Sequence, residues 1–209
     1  MDKEHEDYKM KILVVGATGT IGKAVAERLA QSHDVIRVGY RNGEHKVDLG
    51  SKPSIQALFE TVGPVDAVVS TAGVAGFAPF DTLNDAAFDL ALSNKLMGQI
   101  SLVWVGRNHI TDGGSITLTA GILSHHPMPG TVAISMANGA LESFSRAVAL
   151  EIGRGLRVNT VSPAFVKETM ELMGMDPTPG VSAVDTANAY VAAVEGDMNG
   201  QTLNVTEFL

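Results

Sequence analysis

The stretch Lys11-Ile-Leu-Val-Val-Gly-Ala-Thr-Gly-Thr-Ile-Gly22 decides the fold. After Lys11, the run Ile12–Val15 is apolar and mostly β-branched without alternation, which predicts a strand covered on both faces. Glycines follow at Gly16, Gly19 and Gly22, and then Ile21, Val25 and Leu29 recur at helical spacing. The chain is therefore expected to leave a buried strand, turn sharply, and enter a helix near Thr20. A glycine-rich turn between strand and helix has a chemical use. It lets a diphosphate approach the backbone, and the helix amino terminus offers N–H groups and a partial positive charge. Gly16, Thr18, Gly19, Thr20, Ile21 and Gly22 are thus candidate phosphate-binding residues, with hydroxyl donors from the two threonines.

Outward from this unit the pattern repeats. Strands are expected at Val35–Gly39, near Lys46–Asp48, and at Val65–Ser70, Ser115–Thr119, Leu156–Val161 and Gln201–Thr206. Pro53 opens a helix with Ile55, Leu58 and Phe59 inward. Asp85–Asn108 reads as a long helical region with the stripe Phe88, Leu92, Leu96, Ile100 and Val103. Ala133–Ile152 reads as a second, burying Leu141, Phe144, Val148 and Ile152. Alternating strands and helices predict an α/β fold: a Rossmann-type doubly wound, mostly parallel sheet of about seven strands with helices on both faces. A single domain is expected over residues 11–209, after a flexible polar start over residues 1–10.

The 209 residues carry a formal charge of −8, with 45% apolar and 18% charged residues. An acidic chain of this kind has no general electrostatic reason to bind nucleic acid or anionic membranes. With no cysteine, disulfides and thiolate zinc sites are excluded. The polar start does not read as a secretory leader, and the weakly polar stretch Ala67–Phe80 is broken by Gly73, Gly76 and Pro79. A soluble cytoplasmic protein is expected.

In open parallel sheets, ligands lie beyond the carboxyl ends of the strands, and dinucleotide choice is read at the end of the second strand. An acidic residue there would bind ribose hydroxyls and repel a 2′-phosphate. Here the segment is Gly39-Tyr-Arg-Asn42, with no carboxylate until Glu44. Arg41 is suited to pairing with a 2′-phosphate and Asn42 to donating to it, so NADP(H) is favoured over NAD(H). The competing reading makes Arg41 an ordinary solvated cation.

From Lys11 to Val205 the order of motifs is similar to that of the short-chain dehydrogenase/reductase family. The family's TGxxxGxG motif is present in altered form, with Val15 for its threonine and Thr20 for its middle glycine. Its acidic residue near the adenine corresponds to Asp48, followed by Leu49. Its NNAG stretch corresponds to Ser70-Thr-Ala-Gly73, and its central-helix asparagine to Asn94. The resemblance places Ser70, Thr71, Ala72 and Gly73 beside the cofactor. It places Asn138 at the ribose, and Pro163, Ala164 and Val166 at the nicotinamide side. It implies an oxidoreductase acting on a small carbonyl or alcohol, assembled as a homodimer or homotetramer.

The family's catalytic set is incomplete. Its serine, tyrosine and lysine positions are occupied by Gly121, Ile134 and Asn138, and only Asn94 is retained. Four residues beyond Tyr8, Tyr40 and Tyr190 stand Ile12, Glu44 and Val194, so no Tyr-xxx-Lys exists in any register. A positioned proton donor is worth about 10²–10⁴-fold, and an oxyanion donor about 10²–10³-fold. Substitute groups are Thr119, Ser124 and Ser135 as hydroxyls, Asn138 for a ribose hydroxyl, and His125 or His126 as a proton source. The candidate catalytic residues are Asn94, Thr119, Ser135 and Asn138. Adjacent histidines in a polar loop are more often simply solvated, and without a third ligand no metal is expected. The alternative function is a non-catalytic NADP(H)-binding sensor or partner subunit. Met170, Met173 and Met175 with Leu172 read either as a flexible apolar cap over a small ligand or as ordinary helix packing. The interval from Pro163 to the last strand is short for the family, which implies a reduced lid.

Overall fold

Apolar runs without alternation become the inner strands of a parallel sheet because both faces are covered by helices. The computed structural model describes residues 8–209. Its strands are β1 (Lys11–Val15), β2 (Asp34–Gly39), β3 (His45–Lys46), β4 (Val65–Ser70), β5 (Ile110–Thr119), β6 (Arg157–Ser162) and β7 (Thr202–Asn204). They form one sheet of order β3-β2-β1-β4-β5-β6-β7, and every pairing is parallel. The winding reverses between β1 and β4, and that switch opens a crevice above their carboxyl ends.

Two apolar layers flank the sheet. On one face Leu13, Val15, Val68, Ile116 and Leu118 pack with α2 (Lys52–Val62), α4 (Met97–Gly106) and α5 (Val132–Val148). On the other, Ile12, Val14, Val69 and Val161 pack with α1 (Thr20–Leu29) and α7 (Ala183–Glu195). The expected doubly wound architecture is therefore present. Of the polar start, residues 1–7 lie outside the described residues. Tyr8 donates to Asp66 Oδ1 at 3.0 Å and Met10 packs on the core, beneath the amino ends of β1 and β4.

The long central helix differs from its expected form. It runs as α3 (Asp85–Leu90), a π-helical turn at Ala91–Leu96, and α4. A π turn inserts an extra residue and rotates everything beyond it. The buried residues of α4 are consequently Gly98, Gln99, Leu102, Val103 and Gly106, while Leu92, expected inside, is 38% exposed. β5 begins five residues before Ser115, at Ile110, with a register shift opposite Val65 and Ala67. The apolar pattern missed those residues because Asp112, Gly113 and Gly114 interrupt it. β7 stops at Asn204, and Val205–Phe208 form a 3-10 turn. The sequence pattern also missed α6 (Lys167–Leu172) and α7. The inner face of α7 is largely alanine, at Ala183, Ala187, Ala189 and Ala193, so it carries little amphipathic signal. Of the methionine group only Met170 is buried; Leu172 is 81% exposed.

Candidate functional site

The glycine turn after β1 is held by geometry that side chains cannot enter. Gly16 has φ +90°, and a Cβ there would stand 2.7 Å from Thr71 Oγ1. A Cβ on Gly22 would stand 2.0 Å from Gly16 O, inside any tolerated contact. The capping residue Gly19 has no side chain to occupy the first-turn N–H groups of Thr20, Ile21 and Gly22. Those groups are helix-end donors awaiting an acceptor.

Above this turn lies an open cleft of about 380 Å³ at the switch between β1 and β4. Gly16, Thr18, Gly19, Asp48, Leu49, Thr71, Ala72, Gly73 and Asn94, all anticipated, line it together. Gly39, Tyr40, Val47 and Val74 line it as well and were not anticipated. Tyr40 is largely exposed, with the Arg41 guanidinium 6.0 Å from its ring centre. Its proximity to Arg41 in the sequence was the one available signal. Arg41 and Asn42 are exposed just outside the lining. Ser70 is buried beneath the floor, its hydroxyl without a hydrogen-bond partner among the described residues. Asp48 Oδ1 accepts from Gly50 N at 2.9 Å, which fixes the β3 exit loop. Asn94, in the π turn, accepts from Val74 N at 2.9 Å and so ties the loop after β4 to the cleft wall.

The far end of the crevice, over β4, β5 and β6, holds the remaining candidates. Asn138 is 1% exposed; its Nδ2 donates to Gly121 O at 3.4 Å, and its Oδ1 has no partner among the described residues. Gly121 has φ +155°, and a Cβ there would meet Asn138 Nδ2 at 3.1 Å. Ile134 is half-buried on α5. Ser135 donates to Thr131 Oγ1 at 3.1 Å. Thr119 turns away from α5: its hydroxyl donates to Ser70 O at 2.6 Å and accepts from Tyr190 OH at 2.7 Å. That arrangement leaves no Thr119 proton for a ligand. Tyr190 is fully buried, and burial raises its pKa, which removes it as a proton donor at neutral pH. Pro163 accepts from Ile122 N at 2.9 Å, and Val166 caps α6.

Two buried charges escaped the sequence pattern because each lies on a helix whose neighbours are ordinary. Glu142 is buried on α5; it accepts from Ser124 Oγ at 2.5 Å and meets His125 Nε2 at 2.8 Å. His125 is therefore not merely solvated but oriented by a carboxylate. It borders, with His126, Ser162, Ala164 and Asn204, a polar cavity of about 350 Å³ beyond β6 and β7. Lys95, next to Asn94, is 6% exposed, and its ammonium donates to Thr119 O at 3.3 Å and Ala120 O at 3.4 Å. Burial alone pushes its pKa down to about 8.

The family model described as enoyl-(acyl carrier protein) reductase matches residues 15–196. Carbonyl reductase (NADPH) 2 from Sus scrofa is 32% identical over 180 residues, covering 77% of this chain and 73% of its own length. The crystal structure of protein lin1944 from Listeria innocua superposes with a TM-score of 0.89 at 39% identity, covering 94% of this chain and 99% of its own. A small-chain dehydrogenase in complex with NADPH superposes at 0.80 with 26% identity, over 94% and 96% of the two chains. Sheet order, glycine turn and these likenesses over most of the chain agree, and the protein belongs to the short-chain dehydrogenase/reductase family.

Proposed function

We propose that the protein binds NADP(H) in the cleft above β1 and β4 and acts as an atypical oxidoreductase on a small carbonyl or alcohol. The observation that carries this reading is the cradle itself. Side chains are sterically barred at Gly16 and Gly22, the first-turn N–H groups of α1 are uncapped, and the cleft opens directly above them. The Thr20–Gly22 amides hold the diphosphate, with Thr18 beside it. Arg41 and Asn42 take the 2′-phosphate, and Asp48 and Leu49 border the adenine. Thr71, Ala72 and Gly73 form the floor, Asn138 faces the second ribose, and Pro163, Ala164 and Val166 border the nicotinamide. The unpaired Oδ1 of Asn138 is a buried polar atom that a ligand would satisfy. The NADPH complex of a structural relative and the NADPH-dependent name of the Sus scrofa enzyme support the same cofactor.

When bound, the nicotinamide supplies or accepts hydride. The chain's own groups must then orient the carbonyl and manage its proton. Asn94 fixes the wall through Val74, and Ile134 leaves the usual proton-donor position apolar. His125, held by Glu142, is the titratable group at the adjoining mouth. NADPH oxidation against a panel of aldehydes and ketones tests the enzymatic reading; turnover above background supports it. Tight NADPH binding with no turnover favours the second reading, a non-catalytic sensor or partner subunit. That reading is motivated by Gly121, Ile134 and Asn138 at the family's catalytic positions. We also propose a cytoplasmic location, consistent with the absence of cysteine. The exposed Trp104 on α4 beside half-buried Phe144 and Val148 on α5 suits a second copy of the chain, forming a homodimer or homotetramer.

A further inference from the structure

Of the two buried charged side chains among the described residues, Glu142 is paired with His125, whereas Lys95 has no role in the family's usual chemistry. Lys95 leaves the π turn with its stem packed under Gly73, where a Cβ would fall 3.1 Å from Lys95 Cα. Its ammonium ends at the carbonyls of Thr119 and Ala120, at the carboxyl end of β5. The ion pairs among the described residues do not include it. Burying an ammonium without a carboxylate is expensive, and an apolar side chain of similar length would suit the fold better. Nor is it needed to satisfy Thr119. Gln99 Nε2 already donates to Thr119 O at 2.9 Å, and Gln99 Oε1 accepts from Thr119 N at 2.8 Å. Both bonds made by Lys95 are long, and an ammonium has three protons to give.

Across the same strand end sits the complementary vacancy in hydrogen bonding. Asn138 Oδ1 is buried and without a partner, while Asn138 Nδ2 reaches Gly121 O, one residue beyond the carbonyl that Lys95 touches. A spare cationic donor and a spare neutral acceptor thus flank Gly121, between Gly73 and α5. A vicinal diol offers both an acceptor and a donor, which is the match this pair requires.

We infer that Lys95, acting with Asn138, holds the nicotinamide-side ribose diol: its ammonium donates to one hydroxyl oxygen while Asn138 Oδ1 accepts from a ribose hydroxyl. The positive charge absent from position 138 is supplied from the π turn instead. This inference rests on the NADP(H) reading above.

Calorimetric titration of the full chain separates the two. The probes are NADPH, which carries the second ribose, and adenosine 2′,5′-bisphosphate, which lacks it. Lys95→Met is expected to weaken NADPH binding by about 10- to 100-fold, the range for losing a charged hydrogen bond. It should leave the bisphosphate affinity unchanged and the melting temperature equal or higher. Moving the charge, in Lys95→Met with Asn138→Lys, should restore most of the NADPH affinity. Unchanged NADPH affinity in Lys95→Met overturns the inference, as does an equal loss for both probes or a fall in melting temperature, which would mark Lys95 as structural. Wild-type protein that binds neither probe overturns the nucleotide reading itself.

Discussion

Gly22 and Lys95 show how single residues set the site. A methyl group on Gly22 would lie 2.0 Å from the Gly16 carbonyl, so the turn must open to admit it. Gly22→Ala is expected to reduce NADPH affinity by more than about tenfold and to lower stability by about 1–3 kcal/mol, as overpacking does. Calorimetry and thermal melting check both; an unchanged affinity would mean the turn does not shape the site. Lys95 makes a separate prediction about pH. Burial lowers its pKa from the ordinary 10.5 to about 8, so between these values the folded protein has released a proton that the unfolded chain keeps. The folded state is therefore favoured as pH rises through that window, by up to about 3 kcal/mol relative to Lys95→Met. Denaturant melts of the two proteins from pH 7 to pH 11 measure the difference, and a wild-type stability that fails to rise relative to Lys95→Met across the window contradicts the burial.

At the scale of elements, the π turn at Ala91–Leu96 is the decisive departure from regularity. It aims Asn94 at the loop after β4 and Lys95 at the end of β5. Deleting Ser93, an exposed residue of that turn, should restore α-helical winding and swing one or both side chains away. The expected result is a folded protein with weakened NADPH binding and faster hydrogen exchange at the Val74 amide. Retained protection at Val74 would show that the turn is incidental. This irregularity was not legible in the sequence. Apolar residues at Phe88, Leu92 and Leu96 fit an uninterrupted helix, and hydrophobic spacing does not report where a ladder of hydrogen bonds slips by one residue. α7 escaped for a different reason, because its alanines bury well against α1 yet barely separate from a polar background. β1, its glycine turn and the start of α1 were legible because strand, breaker and helix signals coincide over a dozen positions.

For the whole molecule, a doubly wound parallel sheet followed from the alternation of elements, and the observed strand order places the crevice above β1 and β4. The lining of the cleft above β1 and β4 was accordingly readable, because it is built from contiguous loops at strand ends. The far end of the crevice was not. Lys95, Glu142 and Tyr190 act through partners 24, 18 and 71 residues away, and no local pattern encodes such pairings. Assembly also belongs to this scale. Trp104, 55% exposed and stacked with the Arg107 guanidinium, sits on the face assigned to a second copy. Trp104→Glu is expected to convert the proposed oligomer to monomer in sedimentation velocity; a wild-type monomer would contradict the assembly, and an unshifted variant would place the interface elsewhere.

Cofactor binding in the cleft depends on the amides at the start of α1 receiving a diphosphate. A crystal structure of the protein grown with NADPH tests this most directly. The diphosphate is expected within hydrogen-bonding distance of the Thr20, Ile21 and Gly22 amides, with the 2′-phosphate beside Arg41. A cleft without nucleotide density at saturating NADPH, or a nucleotide bound away from that turn, would contradict it.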